Sequence, residues 1–215
     1  IRAKSGIMRG REFLMKDLYS FSRDEKEHTA FYEKTKQAYT NVFRRMGLGE
    51  RTFLTFASGG SFAKYSHEFQ TVTDAGEDFI YVDEKSGIAV NKEVLTDEVL
   101  ADLGLKREVL VEKKAVEVGN IFNLGTRFSE PLELRFLNEK GEKQNVVMGS
   151  YGIGPTRLMG TIVEVLADAD GIVWPDSVAP FRVHLIAIAD KAGRVADEAT
   201  KLYNALTEKG IDVLY

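Results

Sequence analysis

Apolar positions along the chain recur with two different periods, and the period assigns the elements. Glu12 to Phe21 (EFLMKDLYSF) mixes large apolar and charged residues and reads as a strand. Ser22 and Glu25 stand at capping-box spacing. A helix is predicted from there to about Met46, with Phe31, Ala38, Val42 and Met46 on its buried face and Gly47 as its stop. Thr52 to Ala57 reads as a strand, Ser58 to Ser61 as a Gly/Ser loop, Ser66 to Thr73 as a strand and Asp74 to Gly76 as a turn. The signal then thins. Phe79 to Val82 reads as a short strand, Thr96 to Leu103 as a short helix closed by Gly104, and Val116 to Leu124 as strand-like. Leu132, Leu134 and Phe136 alternate with Glu133 and Arg135, the period of a half-buried strand, and Asn145 to Met148 returns as its partner after a turn at Lys140-Gly141. Gly149 to Gly154 (GSYGIG) reads as a glycine-rich turn. Pro155 sits where a helix would begin, with Leu158, Met159, Ile162, Val165 and Leu166 on its buried face.

Trp174-Pro175 to Pro180 reads as a linker. Phe181 to Ala189 (FRVHLIAIA) follows as a buried strand, Ala192 to Glu208 as an amphipathic helix stopped by Gly210, and Ile211 to Tyr215 as a second strand. That order is a β-α-β unit with parallel strands. The expected organisation is a mostly antiparallel α+β domain over 1–174, a linker at 175–180 and an incomplete α/β domain over 181–215.

Composition narrows the class only a little. The chain has 215 residues, 44% of them hydrophobic and 29% charged, in the ordinary range for a globular protein. No apolar run reaches the roughly 18 residues of a membrane span, and no signal peptide is visible. With no cysteine, disulfides and thiolate metal sites are excluded, and His28, His67 and His184 are too far apart for a local metal motif. A cytoplasmic protein is the simple reading. The first residue is not methionine and the segment opens in mid-loop, so the sequence reads as a piece of a longer chain. The net charge of −4 does not mark a nucleic-acid binder, but Arg2, Lys4, Arg9, Arg11 and Lys16 face only Glu12 in the first 16 residues. Such a run suits a polyanion; a solvated basic loop is the plainer alternative.

Three segments could carry chemistry. In Arg9-Gly-Arg-Glu-Phe13 an extended backbone would put both guanidiniums and the aromatic on one face, a clamp for phosphate beside a ring for a base. Phe13 as a core residue is the competing reading. In Gly149-Ser-Tyr-Gly-Ile-Gly-Pro-Thr-Arg157 glycines allow close backbone approach, and a helix N-terminus and Arg157 follow, a setting for phosphate or nucleotide. The spacing is neither a P-loop nor a dinucleotide fingerprint. In Tyr65-Ser-His-Glu-Phe69, His67 and Phe69 share one face of a strand and could line a small apolar pocket, or simply sit in the core.

Taken in order, these segments resemble class II aminoacyl-tRNA synthetases. Arg9 and Phe13 resemble the second half of motif 2, and Gly149 to Arg157 with the following helix resembles motif 3. RGREFLMKDLYSF (9–21), SHEF (66–69), GED (76–78), VEVGNIFNLGT (116–126) and GSYGIGPTRLMG (149–160) are similar to the prolyl-tRNA synthetase family, and WPDSVAPFRVHLI (174–186) to its passage into an anticodon-binding domain. The resemblance implies a class II antiparallel sheet with flanking helices, then the start of an α/β anticodon-binding domain. It implies ATP with Mg²⁺, L-proline and tRNA(Pro) as partners, a homodimer for the full-length protein, and no membrane. By the same resemblance Arg9 and Arg157 are the catalytic residues. Arg9, Gly10, Glu12, Phe13, Gly154 and Arg157 would bind ATP; His67, Phe69, Ser150 and Gly152 would bind proline; no residue is assigned to a metal.

The departures are specific. Motif 1, the upstream half of motif 2 and a Thr-x-Glu loop of the family have no counterpart here. Phe62-Ala-Lys-Tyr65 replaces the usual stretch before the histidine, and Asn120 stands where the bacterial type often has histidine. The short span from Asp78 to Val118 leaves no room for the family's editing insertion. No metal is expected near Asp83 and Ser86, where some relatives carry a cysteine pair. The alternative to an enzyme is a catalytically inactive paralogue that keeps the fold as a tRNA- or protein-binding module.

Overall fold

The computed structural model describes residues 3–60, 64–188, 191 and 193–215. Arg2 of the basic run, Ser61 and Phe62-Ala63 of the Gly/Ser region, and Ala189 and Ala192 at the expected strand and helix boundaries lie outside the described residues. The chain divides into two units, Ile1–Val173 and Trp174–Tyr215. In the first, β1 (Lys16–Ser22), α1 (Glu25–Arg45), β2 (Thr52–Ser58), β3 (Tyr65–Val72), β4 (Asp78–Asp83) and β5 (Ile88–Asn91) are followed by α2 (Asp97–Asp102), β6 (Leu110–Gly125), β7 (Arg135–Leu137), β8 (Lys143–Asn145), β9 (Val147–Ile153) and α3 (Pro155–Leu166).

The unit is α+β, built on a seven-stranded sheet of order β1-β9-β6-β3-β2-β5-β4. Its pairings are antiparallel except β2 with β5. The long β6 also pairs with β4, so β6, β3, β2, β5 and β4 close into a ring of pairings. Ile80, Val82, Ala89 and Ala115 form one core cluster, with Phe53 and Val72 against it. α2 covers a second, where Val99 and Leu100 meet Val90.

α1 starts two residues later than the capping-box spacing predicts. Asp24 is its N-cap, accepting from the Glu27 N–H at 2.8 Å, while the Glu27 carboxylate accepts from the Arg23 N–H at 2.7 Å. Ser22 instead ends β1, buried. The buried stripe of α1 is also displaced from the predicted one: it is His28, Tyr32, Thr35, Tyr39 and Phe43, and Phe31 is 38% exposed. Four of its five residues are aromatic rings, and three of those, His28, Tyr32 and Tyr39, carry polar atoms, which a count of aliphatic residues passes over.

Residues 149–154 are not the glycine-rich turn that the sequence predicts. Gly149 to Ile153 run through β9, between β1 and β6. Gly149 makes room for side chains: a Cβ there would stand 2.4 Å from the Tyr151 hydroxyl and 2.7 Å from His28 Cε1. β1 is shorter than predicted. β9 ends at Ile153, opposite Lys16, because Pro155 opens α3, so residues 12–15 find no ladder partner there. Of the predicted 132–136 strand only Arg135 and Phe136 pair, continued by Leu137, against Lys143–Asn145, and Leu132 is 73% exposed. On α3, Leu158 and Ile162 are buried with Gly160 and Thr161, whereas Met159 faces outward.

In the second unit β10 (Val183–His184) and β11 (Val213–Leu214) pair in parallel, and α4 (Arg194–Glu208) connects them. The run Phe181 to Ala189, predicted as a buried strand, pairs only at Val183–His184, and Ile186 and Ile188 stand exposed.

Candidate nucleotide-binding site

The sequence brings two distant arginines together through a small docking contact. Residues Gly6–Met8 form a single 3-10 turn that packs on α3. The contact needs glycine at 160, where a Cβ would lie 2.6 Å from Met8 Cγ and 3.2 Å from Ile7 Cγ1. The neighbouring Thr161 hydroxyl donates to the Arg157 carbonyl at 2.9 Å and touches Met8 Sδ at 3.9 Å. Met8 is thereby fixed one helical turn from Arg157, and Arg9 follows it directly.

Both arginines line one cavity of ≈ 320 Å³ with Phe13, Glu117, Asn120, Gly152 and Gly154 among its walls. Met8, Met15 and Val118 give it apolar sides. Phe13 is 58% exposed and stands at this cavity, outside the core. Gly10 also lines it; a Cβ there would meet the Glu12 carbonyl oxygen at 2.9 Å. Arg157 Nη1 donates to the Glu117 carbonyl at 2.9 Å and to its carboxylate at 3.1 Å. Arg9 Nε donates to Glu77 at 3.0 Å, and Lys4 pairs with the same carboxylate. Both guanidiniums are thus held by carboxylates at partly exposed positions, where such pairs exchange readily for a more highly charged anion.

A second, open hollow of ≈ 480 Å³ shares Arg9 and Glu117 with the first and adds Glu68, Glu77, Asp78, Asn91 and Glu93. Burial, and Glu117 beside it, push the Glu68 carboxyl up to about 7, although Gln70 and Asn91 both donate to it. Carboxylates thus predominate in its lining, which also holds Arg9 and Lys92.

The structure does not bring the other predicted residues into the first cavity. Glu12 is exposed and off its lining. Ser150 sits in β9 between Tyr19 and Phe122. His67 and Phe69 face α1: Phe69 is 2% exposed against Tyr39 and Phe43, and the His67 ring packs on Tyr32 and Phe56. Tyr32 donates its hydroxyl hydrogen to the Ile121 carbonyl at 3.1 Å, so it accepts from His67 Nδ1 at 2.8 Å, which fixes the proton of the neutral ring on Nδ1. Burial, with Lys36 nearby, pushes His67 down to about 4. The residues that sequence reasoning missed at the cavity are Met8, Met15, Glu117, Val118, Gly119, Asn120 and Thr156; no local signature marks any of them as site residues.

A large, mostly antiparallel sheet flanked by helices, with Arg9 ahead of β1 and Arg157 on α3 lining one cavity beside it, is consistent with the class II synthetase core fold. A family model described as the tRNA synthetase class II core domain (G, H, P, S and T) matches residues 2–166, and the chain belongs to that family. The proline--tRNA ligase of Rickettsia akari (strain Hartford) is 36% identical over 228 residues, covering 100% of this chain and 53% of the relative. That of Wolbachia sp. subsp. Drosophila simulans (strain wRi) is 38% identical over 229 residues, covering 100% and 52%. That of Hyphomonas neptunium (strain ATCC 15444) is 38% identical over 241 residues, covering 100% and 54%. The chain spans about half the length of the curated relatives it matches. Among the described residues no helix is long and apolar enough to cross a membrane.

Proposed function

We propose that this chain is the catalytic core of a cytoplasmic enzyme that joins L-proline to tRNA(Pro) at the expense of ATP. The observation that carries the reading is the convergence of Arg9, Phe13 and Arg157 on one cavity with bare glycine walls. The dimensions and donors suit a nucleotide: guanidiniums for phosphate oxygens, the Phe13 ring for a base, and backbone at Gly152 and Gly154 for close approach. In this reading the proline carboxylate attacks the α-phosphorus of ATP, and the bond to pyrophosphate breaks. The terminal ribose hydroxyl of the tRNA then takes the prolyl group, and AMP leaves. Arg9 and Arg157 hold the charge that develops on the phosphates, and Phe13 and Arg157 enclose the adenine. Mg²⁺ would enter on the triphosphate. Among the described residues no group of three or more His, Cys, Asp or Glu side chains is disposed to hold a metal ion.

The proline pocket belongs to the same proposal, with Gly152 on the cavity wall and His67 and Ser150 as its further residues, Phe69 backing the strand from the core, and a homodimer as the full-length assembly. Because the chain spans about half the length of the relatives it matches, the test uses the full-length gene product beside the 215-residue chain. Proline-dependent ATP–pyrophosphate exchange by the longer protein is the expected result. ATP binding without exchange for any amino acid would overturn the ligase reading in favour of a binding module.

A further inference from the structure

We infer that Asn120 is a positioning residue for Arg157, acting through Glu117. Its effect on nucleotide binding rests on the function proposed above; its effect on Arg157 does not. Asn120 Nδ2 donates to Glu117 Oε1 at 2.9 Å, and Glu117 Oε2 accepts from Arg157 Nη1 at 3.1 Å. One carboxylate therefore links the two side chains, each oxygen taking one partner. The Glu117 carbonyl takes a second bond from the same Nη1. Among the described residues Nε and Nη2 of Arg157 are left without a hydrogen bond, available to a cavity that all three residues line.

The chain has been shaped to make this link. Residues 117 and 120 are three apart, and strict alternation along a strand would send them to opposite faces. Between Phe69 and Gln70 the register of β3 against β6 shifts: Phe69 faces Gly119 and Gln70 faces Glu117, leaving Val118 as an extra residue in β6. That bulge returns Glu117 to the face of Asn120. Opposite them, Gly152 leaves the space that Asn120 fills, since a Cβ there would stand 2.9 Å from Asn120 Oδ1. An amide suits the position chemically. It fixes the carboxylate without neutralising it, whereas a cation at 120 would compete with Arg157. Glu117 also has Glu68 as an unfavourable neighbour across the second hollow, so a donor on its far oxygen keeps it turned toward Arg157.

The test is ¹⁵N relaxation of the Arg157 Nε–H group in the 215-residue chain, which needs no ligand. The group is expected to be restricted in the parent and to gain fast motion in Asn120→Ala and in the isosteric Asn120→Asp, which has no donor. Asn120→His, whose ring N–H can reach the same oxygen, should restore restriction. In a Glu117→Ala background, Asn120→Ala should change nothing further. ATP affinity should fall about 5–10-fold with Asn120→Ala and recover with histidine. An Arg157 signal equally restricted in the alanine and aspartate variants, both folded by circular dichroism, would overturn the inference. Loss of restriction in Asn120→Ala, with no ATP binding by the longer gene product, would leave the positioning role standing and remove the nucleotide reading instead.

Discussion

The two faces of β6 use the same backbone for opposite ends. On one face Glu117 and Asn120, with Gly152 of β9, border an open cavity with charged walls. On the other, Ile121 lies in register with Tyr151 and His67 beneath the aromatic stripe of α1. The closed face is packed ring against ring: Tyr39 and Phe43 on Phe69, Tyr32 on Tyr151 and His67. The open face is held by ion pairs and hydrogen bonds at partly exposed side chains. Stability should therefore reside on one side of the strand and ligand affinity on the other.

Phe43→Ala is the strongest challenge to that division. The ring is 1% exposed and touches both Tyr39 and Phe69. Its removal should cost about 3–5 kcal/mol of unfolding free energy in a denaturant titration. A loss below about 1 kcal/mol would mean that α1 does not anchor the sheet. Arg157→Ala is the converse. It should weaken ATP binding by about 2–3 kcal/mol in calorimetry, as for a lost charged contact, with little change in the unfolding midpoint. Unchanged affinity would remove Arg157 from the site.

Acid should also separate the faces. His67 is held down to about 4 and His28, 1% exposed, is lowered by burial too, while the unfolded chain protonates both near 6.5. At these two rings the unfolded state therefore binds more protons than the folded one below pH 6.5, and their contribution to stability is lost as pH falls from there toward 4. The loss is at most about 1.4 kcal/mol per pH unit for each histidine. Glu68, raised to about 7, works in the opposite direction over the same range, so the test is a difference between proteins: relative to the parent, Phe or Gln in place of His28 should gain unfolding midpoint progressively from pH 7.5 through 6.0 to 5.0. A parent-to-variant difference that stays the same across that range would show that the His28 ring is not held neutral by the fold.

Much of this division was legible in the sequence, and the exceptions have physical causes. Local signals located most strands, the Pro155 helix start and the Gly47 stop, because each depends on a residue's own backbone preference. The buried stripe of α1 was misplaced because histidine, tyrosine and threonine build it. The Gly149–Ile153 strand was taken for a turn because glycine does two jobs, bending chains and making room, and only the neighbours show which. At the cavity, Arg9, Phe13 and Arg157 stand in segments whose order and spacing are visible in the sequence. Glu117 could not be paired with Asn120 from sequence, since the bulge at Val118 that unites them is a property of two strands in register.

The finest test of the comparison is His67→Ala. The ring lies under α1, away from the cavity that holds Arg9 and Arg157, and its Nδ1 is spent on Tyr32. Its removal should leave ATP affinity within about twofold, because no contact of His67 reaches the cavity walls, and any larger change would have to pass through a displaced β6. Proline dependence of exchange should change more than ATP binding if His67 shapes the amino-acid pocket as proposed. Equal loss of both, accompanied by a lowered unfolding midpoint, would make the histidine a structural residue of the closed face alone. The Tyr32 hydroxyl keeps the Ile121 carbonyl as a partner in the variant, so that collapse is not the expected outcome.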